Sequence, residues 1–541
     1  MTKNKNRLYF IVSFISTLIY RYFWSSVSQW REDQATNVWI ALTETVQTTP
    51  VGLLTSKGIP VTNFMILIGK LYNFIDNLLI ATVLFSLLQV FCFYLLVKEL
   101  NLTEGKKLSL FLVLSFSVIL SSSSIEFWNN FIFIQFNCLF FYFYLLFVRT
   151  RKTFYLYVML LILTFNLAIY LAGITTAVSM GIIVLYEFLM NRDKKGMNNA
   201  MKGYFMLFTT TSFYLYFVWF KYFTSVKISE ILSFSGLSLY DRFNILSDQF
   251  LEIPGTFLTV WTKQSSFYIL QIDRDLLSNM TFNIFKIYVE FHKVITVYFL
   301  LAIFVILLYK NANTKVFDSL NFRFLIAISF FIYFSTLINP ALGGPNFSNS
   351  ERMENYIPYY PFFIIIWFLT IDKLEIFNIG KIKFSKLNKS LLISVISINL
   401  LLSIFTISDN LTYSGDKLTN ADIPLTEKME VVHFIAEDMS NKGLREGTIS
   451  YQLGGGIWDY IPKHGEKYVE WFPKYPYTIG RVYDYILYSN YSIINKYEGL
   501  NDRSFNDSQY IISYIFNAPD IYDENKYTEI NFKRLRISIK N

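Results

Sequence analysis

Long apolar runs separated by short charged segments fill the first three-quarters of the chain, and the pattern then changes. A helix needs roughly 20 mostly apolar residues to cross a bilayer. Runs of that kind lie at 8–28, 77–97, 107–124, 129–148, 153–171, 173–190, 203–222, 294–309, 322–338, 357–371 and 390–407, which predicts about eleven membrane-spanning helices. Between the first two, Ala35, Trp39, Leu42 and Val46 recur at helical spacing, and the breakers Pro50, Gly52, Gly58 and Pro60 follow. Phe64 to Phe74 is apolar but too short to span, so two helices lying along the membrane surface are expected in 29–76. Residues 223–293 read as interfacial helices and loop, and 339–356 as a further loop.

The region from about 408 onward has soluble composition and predicts a small α/β unit. Val432, Ile435, Ala436 and Met439 fall on one helical face, with Thr426 as the expected N-cap and Gly443 as the stop. Thr448–Leu453 and Gln509–Phe516 read as buried strands. Leu535, Ile537 and Ile539 alternate with polar residues, the period of a half-exposed strand.

Composition narrows the class. Apolar residues make up 53% of the 541-residue chain, charged residues 16%, and mean hydropathy is +0.36, which argues against a soluble, collagenous or disordered protein. The net charge of +8 does not imply nucleic acid, because membrane proteins keep Lys and Arg in their cytoplasmic loops. Here Lys98, Lys106, Lys107, Arg149, Arg151, Lys152 and Arg192 alternate with outer loops near 121–128 and 171–173 that hold no Lys or Arg. That bias predicts a cytoplasmic N-terminus and an outside C-terminus. Lys3, Lys5 and Arg7 before the first apolar run imitate a signal peptide, but Arg21, Tyr22, Phe23 and Trp24 favour an uncleaved first helix. Cys92 and Cys138 sit inside apolar runs and offer no disulfide framework, and the three His are scattered. The expected fold class is an α-helical polytopic membrane protein: a transmembrane domain over 1–407, with outer loops 29–76, 223–293 and 339–356, and an extracytoplasmic α/β domain over 408–541.

Candidate chemistry begins directly after the first run, in Trp30-Arg31-Glu32-Asp33-Gln34-Ala35. Two adjacent carboxylates stand at the outer boundary ahead of an amphipathic helix, whose N-terminal dipole would keep Asp33 ionised. A carboxylate in that state can take a proton from a sugar hydroxyl. Asp is also a favoured helix N-cap residue, which would need no chemistry.

The long first outer loop opening with this motif resembles that of the GT-C membrane glycosyltransferases, which include protein mannosyltransferases and lipid A aminoarabinose transferases. Asp33-Gln34-Ala35 matches their Asp-Glu-Ala-like motif with Gln in place of Glu, and Pro50 to Pro60 resembles the Gly/Pro segment that follows it. The resemblance implies roughly eleven to thirteen helices, surface helices in the first loop, often a soluble outer domain, and sugar transfer from a polyprenyl-phosphate carrier. It makes Asp33 the catalytic acid, with Glu32 as a neighbouring charge. A second acid is common in that family, and Glu126 is the only acid in its short outer loop. Glu351-Arg352-Met353-Glu354-Asn355-Tyr356-Ile357-Pro358 resembles the Arg-Tyr…Pro stretch opening a late helix, with Arg and Tyr further apart. Arg352 is the candidate for the lipid phosphate, since guanidinium binds phosphate oxygens bidentately, although Glu351 or Glu354 would also pair with it. Gln34 and Tyr356 join it as substrate-binding candidates.

The expected partners are a polyprenyl-phosphate-linked sugar, a glycan, lipid or protein acceptor, and membrane lipids, with no nucleic acid. A divalent metal could share the phosphate's charge, but the sequence does not require one. The expected location is the cell (inner) membrane. The competing readings are a transporter or flippase and an O-antigen-type polymerase or ligase.

Overall fold

A computed structural model describes residues 2–30, 38, 53–54, 60–61, 63–75, 77–125, 129–169, 173–191, 198, 202, 278–291, 319–343, 357–374, 378–379, 382–413, 423–453, 481–495, 508–515 and 524–541. The chain is largely helical, with most of its strand residues in the C-terminal region. Helix α1 (Thr2–Ser26) is followed by a two-stranded pair, β1 (Leu53–Leu54) and β2 (Pro60–Val61), and by α2 (Asn63–Phe74). Then come α3 (Leu78–Glu99), α4 (Glu104–Ser115), α5 (Val118–Ser124), α6 (Asn129–Thr150), α7 (Thr153–Ile169) and α8 (Gly173–Asn191). A helix over 279–291 precedes α9 (Ser319–Gly343), a 3-10 turn (Ile357–Tyr359) and α10 (Tyr360–Leu374). The hairpin β3 (Asn378–Ile379) and β4 (Ile382–Lys383) leads into α11 (Phe384–Thr412).

Hydropathy separates these helices. Among the described residues three are long and apolar enough to cross a membrane, over Leu78–Glu99, Ile132–Thr150 and Asn388–Thr412. A fourth follows if α4 and α5, bent by 57° at their junction, count as one span. That count is below the eleven expected. The expected runs at 203–222 and 294–309 lie outside the described residues, and α7 to α10 offer apolar stretches of fewer than 18 described residues. The expected single helix over 107–124 is a correction: it breaks at Phe116 and Ser117. Ser117 caps α5 by accepting from the Leu120 amide at 3.5 Å, and Asn399 accepts from the Val118 amide at 2.9 Å, so a new helix starts there.

Apolar stripes face outward on the long helices. On α3 they are Ile80, Leu84, Leu88 and Phe91, and on α1 Ile11, Ile15, Ile19 and Phe23, all more than 45% exposed. Rows of this length are unfavourable against water and suit hydrocarbon. The inward faces form one large apolar cluster, in which Phe141 packs on Phe324, Phe331 and Phe362.

Contacts between helix ends define two ends of the bundle. At one, Arg149 Nη1 lies 2.6 Å from Glu99 Oε2, Asn101 and Asn321 exchange hydrogen bonds, and Arg151 and Arg323 both approach Glu187. Arg149 also closes the last turn of α6, where a cation complements the helix dipole. At the other end lie the C-terminus of α1, the start of α3 and the C-terminal region.

The C-terminal region comprises α12 (Leu425–Asn441), β5 (Glu446–Gly447), β6 (Ile449–Gln452), α13 (Arg481–Tyr491), β7 (Ile494–Asn495), β8 (Tyr510–Tyr514), β9 (Tyr527–Asn531) and β10 (Leu535–Lys540). Four strands pair in the order β6-β8-β10-β9, with β6 parallel to β8 and the rest antiparallel. Val432, Ile435, Ala436 and Met439 are buried on α12 as their spacing predicts. Gly443 takes φ +69°, which suits glycine, while the Leu444 amide donates to Met439 O. Two local expectations need correction. The N-cap is Pro424, leaving Thr426 inside the first turn, and Ser538 is buried because β10 is central, flanked by β8 and β9.

One ion pair anchors this unit. Arg534 Nε donates to Glu427 Oε2 at 3.0 Å and its Nη2 reaches Oε1, joining β10's approach to α12 with both side chains at most 4% exposed. Arg534→Ala would strand a buried carboxylate, and breaking such a pair typically costs about 3–5 kcal/mol. The C-terminal unit should therefore become protease-sensitive at lower temperature than wild type, read by limited proteolysis across a temperature series.

Candidate functional site

Glu32, Asp33, Gln34, Glu126, Arg352 and Tyr356 all lie outside the described residues. The described chain nearest to them ends at Trp30, ends at Ile125 and resumes at Ile357, and these three points serve below as the roots of the undescribed stretches.

The root of the Glu32–Gln34 stretch leaves α1 through two tight amide bonds, Val27 N to Trp24 O and Ser28 N to Ser25 O. Trp30 then adopts φ +45°, an uncommon value for a bulky residue, and is fully buried. Its indole Nε1 donates to Thr82 Oγ1 at 3.3 Å, and its ring stacks on Tyr485 with centroids 6.1 Å apart. Burial raises the Tyr485 phenol well above its usual pKa, so it remains a neutral donor, and it bonds Asn73 Oδ1 of α2. The C-terminal region also grips the backbone directly. Lys428 Nζ donates to Gln29 O at 2.7 Å and to Trp30 O at 3.4 Å, and the Leu425 amide donates to Ser28 O at 2.7 Å. Trp30, Tyr72, Leu78, Ile132 and Phe133 share one apolar core with α12, α13 and the sheet.

The root of Glu126 is α5, whose Ser121 to Ser124 are all buried. Each of these hydroxyls donates to a carbonyl three or four residues back. Ile125 ends the helix, and its carbonyl accepts from Ser28 Oγ at 3.1 Å. That bond ties together the chain segments from which the two acidic motifs emerge. The third root, the turn Ile357–Tyr359 just after Tyr356, is buried and packs against α5 and α6. Tyr359 Oη lies 3.4 Å from Thr176 Oγ1 of α8.

Sequence reasoning missed Arg21. It used this residue as an argument against a cleaved signal peptide, whereas the guanidinium is fully buried inside the bundle. Nη1 donates to Leu120 O at 2.8 Å and Ser124 Oγ at 2.6 Å, and Nη2 to Ser115 O at 3.1 Å. Ser86 Oγ of α3 lies 2.6 Å from Ser124 Oγ and extends the network. Among the described residues no carboxylate pairs with Arg21. The available signal was one Arg in an apolar run, together with a four-serine tract elsewhere. Lys428 and Tyr485 carried no signal at all.

Among the described residues no three His, Cys, Asp or Glu are grouped to hold a metal ion. No protein-family model and no curated protein matches the chain.

Lys428→Met should leave the Gln29 and Trp30 carbonyls with fewer donors, a loss typically worth about 1–3 kcal/mol. Trp30→Ala removes a fully buried indole and should cost more, about 3–5 kcal/mol. Thermal unfolding in detergent should rank the two variants in that order, both below wild type.

Proposed function

We propose that this chain is a GT-C-type glycosyltransferase with about eleven spans, moving a sugar from a polyprenyl-phosphate donor to an acceptor on the outer face of the cell membrane. The observation that carries the reading is the Ser28–Ile125 bond, because the roots of the Asp33 and Glu126 segments are joined by it. A base and an assisting acid must act on one substrate, and these two motifs leave the bundle from one place. The turn after Arg352 and Tyr356 packs on α5 and α6, the two helices that flank Glu126 in sequence. On this reading the N-terminus is cytoplasmic and the C-terminal domain is outside, holding the chain at Ser28–Trp30 just before the acidic segment.

The chemistry follows from the residue types. Asp33 takes the proton from the acceptor hydroxyl as its oxygen attacks the anomeric carbon. The bond from that carbon to the phosphate oxygen breaks, and polyprenyl phosphate leaves with the electron pair. Arg352 meets the charge gathering on the phosphate in a setting of low dielectric, where such pairing acts most strongly. Glu32 and Glu126 tune and orient the base, and Gln34 and Tyr356 contact the sugar.

One observation favours a second reading, a transporter or flippase. Transporters place broken helices and buried charges inside the membrane, and the α4–α5 break with Arg21 against it has that character. The two readings separate on a single substitution. Asp33→Asn should lower transfer with a purified lipid-linked sugar about 100- to 10,000-fold while leaving lipid movement between leaflets unchanged. Wild-type turnover in that variant would remove Asp33 from the mechanism. Arg352→Lys keeps the charge but loses the fork, so donor use should weaken, and Arg352→Ala should weaken it further. Alkaline phosphatase fused after residue 420 should be active and fused near residue 195 inactive; the reverse would put Asp33 on the wrong face.

A further inference from the structure

At the Lys/Arg-rich end of the bundle two guanidiniums share one carboxylate. Glu187, near the end of α8, is 1% exposed. Tyr144 Oη of α6 donates to its Oε1 at 2.8 Å, while Arg151 Nη1 at 3.3 Å and Arg323 Nη1 at 3.5 Å both reach Oε2. Among the described residues two cations face one anion, which leaves a surplus positive charge. With both carboxylate oxygens engaged, Glu187 cannot neutralise the pair. Among the described residues each arginine side chain has no further hydrogen-bond acceptor, so most of its N–H groups remain open. Both are partly exposed, 38% for Arg151 and 31% for Arg323.

The pair is held in place by the fold. Arg151 takes φ +57° at the α6–α7 junction, its amide donates to Phe147 O at 2.8 Å, and its guanidinium lies 5.6 Å from the centre of the Phe147 ring. Tyr144 fixes the shared carboxylate from the other side. Beside this polar end the outer helix faces turn apolar at once. Phe154 and Tyr157 on α7 are 66% and 50% exposed, Leu185 and Tyr186 on α8 43% and 42%, and Ile326 on α9 39%. An occupant must therefore offer an anion at the helix ends and hydrocarbon along α7 and α8.

We propose that Arg151 and Arg323 form a binding site for the phosphate headgroup of an anionic phospholipid, whose acyl chains lie along the exposed faces of α7 and α8. The planar guanidinium fork matches phosphate oxygens, and basic groups between helices at a membrane surface attract anionic lipid heads. The site lies at the opposite end of the bundle from the Ser28–Ile125 bond and does not depend on the catalytic reading.

The test uses the full-length protein in nonionic detergent, titrated separately with phosphatidylglycerol, phosphatidylcholine and inorganic phosphate, with the thermal midpoint and native mass spectra as readouts. Phosphatidylglycerol should raise the midpoint and remain bound, phosphatidylcholine should do so less, and inorganic phosphate should have little effect. Arg151→Gln and Arg323→Gln should each weaken phosphatidylglycerol about tenfold. If these variants fold poorly, Arg151→Lys and Arg323→Lys keep the pairing with Glu187 but lose the fork, and should still show a smaller increment. Equal increments from both lipids, an undiminished increment in the Arg variants, or a full shift with inorganic phosphate alone would each overturn the proposal.

Discussion

A guanidinium inside an apolar bundle is tolerable only when its N–H groups find acceptors, and Arg21 finds them where a helix has been broken. Ending α4 at Ser115 frees a carbonyl that a continuous helix would have used internally, and Arg21 Nη2 binds it, while Nη1 takes Leu120 O and Ser124 Oγ. Each feature would be costly alone: a buried charge without acceptors, or orphaned carbonyls at membrane depth. Together the two terminal guanidinium nitrogens and the freed Ser115 carbonyl satisfy one another. The consequence is geometric, because α1 and α5 become locked at a fixed level, and Ser28 arrives beside Ile125.

The C-terminal region extends that lock. Lys428 and Leu425 bind backbone carbonyls at Ser28 to Trp30, so the grip does not depend on which side chains follow. Trp30 supplies the apolar half of the same joint, wedged between Tyr72, Tyr485 and the start of α3. A soluble-looking tail is thereby a structural part of the bundle end from which the acidic segment departs. The opposite end works by charge, with Glu99 pairing Arg149 and Glu187 collecting both Arg151 and Arg323.

Much of the architecture was legible beforehand. Apolar run length located the three long helices, the 3.6-residue period picked the buried face of α12, and the Phe64–Phe74 run appears as α2. The break at Phe116–Ser117 was not, because the residues around it are as apolar as any span, and the partners that make the break tolerable, Arg21 and Asn399, lie far away in sequence. Of the candidate site, the sequence identified residue types and the motif's likeness to a family. It said nothing of how the Asp33 and Glu126 segments relate.

What the sequence determined by itself is whatever sums over neighbours: hydropathy, period, the placement of Lys and Arg, and the soluble character of the tail. Each is a local transfer energy or a local spacing, so it survives without a partner. What only the tertiary structure decided is pairing. Lys428 with Gln29, Tyr485 with Trp30, Ser28 with Ile125 and Arg323 with Glu187 join residues from 97 to 455 positions apart. A hydrogen bond or ring stack depends on distance in space, falling away within a few ångströms, and no local pattern along the chain encodes which distant group will occupy that distance.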